Sequence, residues 1–244
     1  MLLIKTTGIL SIFVQLITGI VDAYALSIKV PSSILMLKQM LWIEFVVQII
    51  EGIFYIWLIM QFFTKSVNSI NITQFRYYDW PITTPAMLLT FSMYLLYIYQ
   101  KEQGLITEGM TSGGMTSGGM AAKKQIHLID NISKHWKILL LIIILDWIML
   151  GFGYLGEMNI IPNTMAVIAG FIPFFIMFYL LYHHFAKLTT IGIKLFWYFA
   201  IVWSLYGVAA LLKYVYKNAF YNILDLFAKN FFGLFLAFVL LSSR

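Results

Sequence analysis

The sequence predicts an all-α membrane protein, a bundle of seven transmembrane helices. Three observations lead there. Of the 244 residues 61% are hydrophobic, and the mean hydropathy is +0.88. Charged residues make up 11%, against about 25% in a soluble protein. The apolar residues fall in seven runs, roughly 6–28, 40–63, 79–100, 137–156, 160–185, 191–213 and 219–241. Each is close to the roughly 20 residues a helix needs to cross a bilayer. The partner of most of this surface is therefore lipid.

The first run is long and lacks a cleavage site, so it reads as a spanning helix and not as a signal peptide; Ser11 and Gln15 share one of its faces. In the second run Glu44 and Glu51 lie two turns apart on one face with Gln48 between them. The third opens Arg76-Tyr77-Tyr78-Asp79-Trp80-Pro81-Ile82-Thr83-Thr84-Pro85. It sets a carboxylate at membrane depth, with Arg76 one turn outward and Thr83 one turn inward. An Asp–Thr pair at this spacing offers the Asp79 carboxylate a hydroxyl to hydrogen-bond with. The fourth carries Asp146-Trp147-Ile148-Met149-Leu150-Gly151-Phe152-Gly153, and the sixth Trp203-Ser204-Leu205-Tyr206. The seventh carries Lys229, with Asp225 four residues before it and Asn222 seven before it.

Loop charge sets the orientation. Lys29, Lys38, Lys101, Lys123, Lys124, Lys134, Lys137, Lys187, Lys194 and Arg244 fall on one side; Lys5, Lys65, Lys213 and Lys217 fall on the other, with Arg76 at the mouth of the third span. The positive-inside rule then places the N-terminus outside and the C-terminus in the cytoplasm. Residues 1–244 read as one domain. A cytoplasmic loop over 101–133 holds a five-residue repeat from Gly109 to Met120, of the Gly/Ser-rich kind that acts as a flexible linker. Cysteine is absent, which excludes disulfides, thiolate metal sites and thiol catalysis. The net charge of +6 sits mainly in loops and does not suggest nucleic-acid binding. Nothing in the chain points to an enzyme.

A bare ammonium at the depth of Lys229 costs at least about 2.5–3.5 kcal/mol, so it requires partners, deprotonation or a ligand. An Asp225–Lys229 ion pair between helices is one solution. A lysine in an apolar pocket that forms a Schiff base with an aldehyde is another.

RYYDWPITTP and LDLFAK, with Asp146 to Gly153 and Trp203 to Tyr206, resemble the microbial (type 1) retinal-binding rhodopsins across all seven spans. The resemblance implies a bundle with buried all-trans retinal, held as a protonated Schiff base on Lys229, with Asp79 and Asp225 as counterions. Arg76 would set their protonation from the outer side. Trp80, Thr84, Met149, Gly153, Trp203 and Tyr206 would line the chromophore, with Thr83 beside Asp79 and Asp146 bonded to Thr84. Gly207 and Ala210 stand where the family usually has a proline and a second tryptophan.

Within the family, a proton pump usually carries Asp or Glu two turns inward of the counterion; this chain has Thr90, whose hydroxyl is no proton donor at neutral pH. Ser11, Gln48, Glu44, Glu51 and Asn222 are set to line a polar path between the first, second and seventh helices, suited to cations. The same groups would also serve as interhelical hydrogen bonds. Ser11, Glu44, Glu51 and Asn222, with Asp79 and Thr83, resemble the constriction residues of the group 1 viral rhodopsins. That subfamily comprises light-gated cation channels of large DNA viruses of marine protists. The expected function is a light-gated channel for monovalent cations. A light-driven outward proton pump and a sensory rhodopsin are the alternatives. Glu51 is expected to govern conductance while leaving the visible absorption nearly unchanged.

Overall fold

A computed structural model describes residues 1–64, 71–106 and 127–243. They form seven helices long and apolar enough to span a bilayer, and no strand occurs among the described residues. The helices are α1 (Leu2–Ser27), α2 (Leu35–Phe63), α3 (Ile72–Glu102), α4 (Leu128–Glu157), α5 (Asn163–His184), α6 (Thr190–Ala210) and α7 (Tyr214–Ser242). Single 3₁₀ turns at Ser32–Ile34 and Ala186–Leu188 lead into α2 and out of α5. Each helix packs on its sequence neighbour, and α7 closes the ring against α1 and α2.

The helices outrun the apolar spans at several ends. α4 begins at Leu128 and so contains Lys134 and Lys137; the loop expected over 101–133 is correspondingly shorter, because helix continues beyond the apolar run. The Gly109–Met120 repeat, Lys65, Lys123, Lys124 and Arg244 lie outside the described residues. α3 starts at Ile72, where the Asn71 side chain caps it by accepting from the Thr73 amide at 3.1 Å.

The bundle inverts the soluble pattern. Phe13, Ile17, Ile20, Ile168, Phe175 and Phe238 face outward, toward lipid, while Asp22, Glu44, Glu51, Arg76, Asp146, Asn222 and Lys229 lie inside. In hydrocarbon every backbone polar group also needs an internal partner. Pro85 lies inside α3 and has no N–H to offer the carbonyl of Pro81, one turn back. The Trp147 indole of α4 donates to that carbonyl at 2.9 Å, so the fourth span repairs a defect in the third. α7 is α-helical to Asp225, makes one π turn over Leu226–Asn230, and resumes from Phe231. The Tyr198 hydroxyl of α6 donates to the Phe227 carbonyl inside that turn at 3.0 Å. Wide turns of this kind gather at functional sites, and this one contains Lys229.

Candidate functional site

The amine of Lys229 sits at the centre of the bundle, 2% exposed. Three carboxylates surround it: Asp79 Oδ2 at 3.3 Å, Asp225 Oδ1 at 3.6 Å and Glu51 Oε1 at 3.7 Å. Arg76 Nη1 pairs with Asp225 Oδ2 at 2.9 Å. Tyr55 and Tyr206 each donate to Asp225 at 2.7 Å, and the Arg76 guanidinium lies over the Phe54 ring at 4.9 Å. Buried charge survives when it is paired and hydrogen-bonded, and Asp225 takes its partners from four directions.

One expectation is corrected here. The Thr83 hydroxyl does not bond the Asp79 carboxylate; it donates to the Asp79 backbone carbonyl at 3.1 Å, the habitual outlet for a hydroxyl inside a helix. Glu51 lies almost as near the amine as Asp225.

On one side Lys229 opens onto a cavity between α3, α4, α5, α6 and α7. Trp80, Thr84, Met149, Gly153, Trp203 and Tyr206 line it. Thr84 donates to Asp146 Oδ2 at 2.7 Å, which ties α3 to α4 behind the wall. Two glycines shape the far end. A Cβ at Gly153 would lie 2.5 Å from the Tyr77 hydroxyl, and one at Gly207 would lie 2.6 Å from Phe171 Cζ, so any side chain there would force the wall to move. The lining is that of a site for an apolar ligand with a few fixed polar contacts.

On its other side Lys229 meets a column of polar side chains between α1, α2 and α7. The buried face of α1 runs Ser11, Gln15, Thr18, Asp22, and that of α2 Glu44, Gln48, Glu51. From α7 come Asn218, Asn222, Asp225 and Asn230. All five residues of the predicted path are buried within it. At the end nearer the start of α1 Arg76 donates to the Asn222 side chain, whose amide donates to Thr7 Oγ1 at 2.8 Å. Ser11 donates to the Asn222 carbonyl at 3.0 Å. Toward the other end Thr90 donates to Glu44. Sequence reasoning missed Asp22, which continues the Ser11–Gln15 face. It also missed the role of Tyr55, which holds Asp225.

A family model described as bacteriorhodopsin-like protein matches residues 3–243. Among solved structures, viral rhodopsin OLPVRII is similar at a TM-score of 0.74 and 26% identity, over 99% of each chain. A blue light-absorbing proteorhodopsin from Med12 gives 0.70 at 18% identity over 99% of each chain. Acetabularia rhodopsin I gives 0.69 at 15% over 100% of this chain and 97% of that one. At those lower identities the likeness is one of fold. No curated protein matches the chain.

Proposed function

We propose, from the premise that the chain belongs to the bacteriorhodopsin-like family, that it is a retinal-bearing, light-gated channel for monovalent cations. The family generally binds retinal through a Schiff-base lysine, and the residues here fit that group. Lys229 lines the apolar cavity and is the amine that would hold the aldehyde. The indole Nε1 of Trp203 and Oδ1 of Asp79 are buried without hydrogen-bond partners, and Tyr77 and Phe171 pack down onto Gly153 and Gly207 at the far end of the cavity. Bound there, retinal would supply absorption of visible light and a change of shape on excitation. Asp79, Asp225 and Glu51 would balance the cation, Tyr55 and Tyr206 would hold Asp225 in place, and Arg76 would cover the outer side. The N-terminus would face outward and the C-terminus the cytoplasm.

One observation carries the choice of a channel: the polar column lies outside the cavity yet touches the same amine. From Thr7 to Asp22 it extends about 22 Å along α1 at 1.5 Å per residue, most of a hydrocarbon core of about 30 Å. Carboxylates alternating with amides and hydroxyls can replace part of a cation's hydration shell. In the resting state the Arg76–Asn222–Ser11 contacts close its outer end. The test is the current–voltage relation of retinal-supplied cells under illumination. A channel gives a current that reverses with the sodium or potassium gradient and disappears in Lys229→Ala.

A second reading, an outward proton pump, is favoured by the Thr90–Glu44 hydrogen bond. It brings a carboxyl from α2 to the position where a pump's inner proton donor stands on the third helix. A current that never reverses with voltage, lost in Glu44→Gln, would select it.

A further inference from the structure

We propose that Asp22, with Gln48 and the missing side chain of Gly233, forms a second monovalent-cation site in the cytoplasmic half of the polar column. The proposal rests on the channel reading above and extends it to a residue that the path predicted from sequence leaves out.

Asp22 is fully buried and Gln48 is 5% exposed, yet neither carboxylate oxygen and neither amide atom has a hydrogen-bond partner among the described residues. Nor does Asp22 enter any ion pair among those residues. An isolated buried carboxylate is costly unless a positive charge joins it. The other carboxylates at this depth solve the problem differently: Asp79, Asp225 and Glu51 share Lys229, and Asp146 and Glu44 accept from threonines. Among the described residues Asp22 has no cation and no hydroxyl beside it; its one polar neighbour is the Gln48 amide.

The unpartnered atoms converge on one place. A Cβ on Gly233 would lie 2.8 Å from Asp22 Oδ2 and 2.9 Å from Gln48 Nε2. Both polar groups therefore point at the space that glycine leaves on α7. A half-turn of the Gln48 amide exchanges its nitrogen for its oxygen, so a cation beside Gly233 would meet one carboxylate oxygen and one amide oxygen. Two more glycines open the neighbouring turns. A Cβ on Gly19 of α1 would stand 3.5 Å from Gln48 Oε1, and one on Gly52 of α2 would stand 3.3 Å from Gln15 Oε1. Both amide atoms of Gln15 also lack partners, as does Asn230 Oδ1. This stretch brings several unpaired polar atoms of Asp22, Gln48, Gln15 and Asn230 together where glycines let three helices approach closely. An ordinary packed interface has the reverse character, with polar groups consumed by one another. The ligand is a singly charged cation, because one carboxylate balances one charge and no group of three metal-ligating side chains is present among the described residues.

The experiment uses the full retinal-loaded protein and reads infrared carboxylate bands as N-methylglucamine chloride is replaced by sodium chloride in the dark. A sodium-dependent shift of a carboxylate stretch is expected in the unmodified protein and in Glu51→Gln. It should vanish in Asp22→Asn, whose visible band stays in place because Asp22 lies outside the chromophore cavity. Light-evoked sodium conductance should fall about tenfold in Asp22→Asn, and further in Gly233→Val, which fills the space. Absence of a sodium-dependent band, or its survival in Asp22→Asn, overturns the site whether or not the protein conducts. A sodium-dependent band that is lost in Asp22→Asn, in a protein whose current never reverses, keeps the site and overturns the channel.

Discussion

Replacing Glu51 by glutamine tests the geometry around the amine most directly. Glu51 Oε1 lies 3.7 Å from Lys229 Nζ, against 3.3 Å for Asp79 Oδ2. At an effective dielectric near 20 each ionised carboxylate attracts the cation by about 4–5 kcal/mol, and the two differ by only about a tenth. Glutamine keeps the shape and removes the charge, so Glu51→Gln subtracts nearly as much field at the nitrogen as Asp79→Asn does. The positive charge of a retinal–lysine linkage concentrates at that nitrogen before excitation and spreads along the polyene after it. Loss of a nearby anion therefore raises the initial state more than the excited one, and the band moves to longer wavelength.

The expected outcome is a red shift in Glu51→Gln of at least half that in Asp79→Asn, read from absorption spectra of retinal-loaded protein in detergent. This reverses the expectation from sequence, in which Glu51 served conduction and left the colour alone. If Asp79→Asn moves the band and Glu51→Gln leaves it in place, the amine does not feel Glu51 as an anion, and the three-carboxylate description of the site is wrong.

Other outcomes follow from single contacts. Arg76→Gln strips Asp225 of its 2.9 Å ion pair. Breaking one half of a buried pair costs about 3–5 kcal/mol, and a double-mutant cycle with Asp225→Asn should recover much of it as coupling in thermal bleaching. Trp147→Phe leaves the Pro81 carbonyl unpaired, a loss of about 1–3 kcal/mol, so bleaching should begin several degrees lower with the spectrum unchanged. Gly207→Ala drives a methyl to within 2.6 Å of Phe171. Overpacking of this kind costs about 1–3 kcal/mol, so retinal uptake by the apoprotein should weaken by about fivefold to a hundredfold.

The seven spans were legible because hydrocarbon imposes one requirement on length and polarity, and each run meets it separately. Lys229 and Asp225 were legible for a related reason: a charge in the middle of an apolar run requires partners or a ligand. What escaped the sequence depends on neighbours from other helices. Asp22 lies near the end of the first apolar run, where a carboxylate reads as an interfacial group; only Gln48 and Gly233 make it an interior one. Spacing put Thr83 on the Asp79 face correctly, but it cannot tell whether a hydroxyl turns to the side chain or to the backbone carbonyl. Spacing put Glu51 on one face with Glu44 and Gln48, which says nothing of its distance from Lys229. The start of α4 was obscured by Lys134 and Lys137, which suit a helix end among headgroups as well as a loop.

The arrangement of cavity and column explains how one event at Lys229 can act on both. The amine opens onto the chromophore cavity and lies within 3.7 Å of Glu51 in the column. Two cations, Lys229 and Arg76, face three carboxylates there. Transfer of a proton from Lys229 to one of them, Asp79 being nearest at 3.3 Å, would leave Arg76 facing the two that stay ionised and remove about 4–5 kcal/mol of attraction from each at an effective dielectric near 20. The contacts that close the column are weaker, since a hydrogen bond such as Ser11 to Asn222 contributes about 0.5–1.5 kcal/mol net. Arg76 joins the two, because the same guanidinium holds Asp225 and the Asn222 side chain. On the proposed channel reading, such a charge change would exceed the strength of that closure and reach it through one residue. A cavity sealed from the column would need a long mechanical path to achieve the same opening.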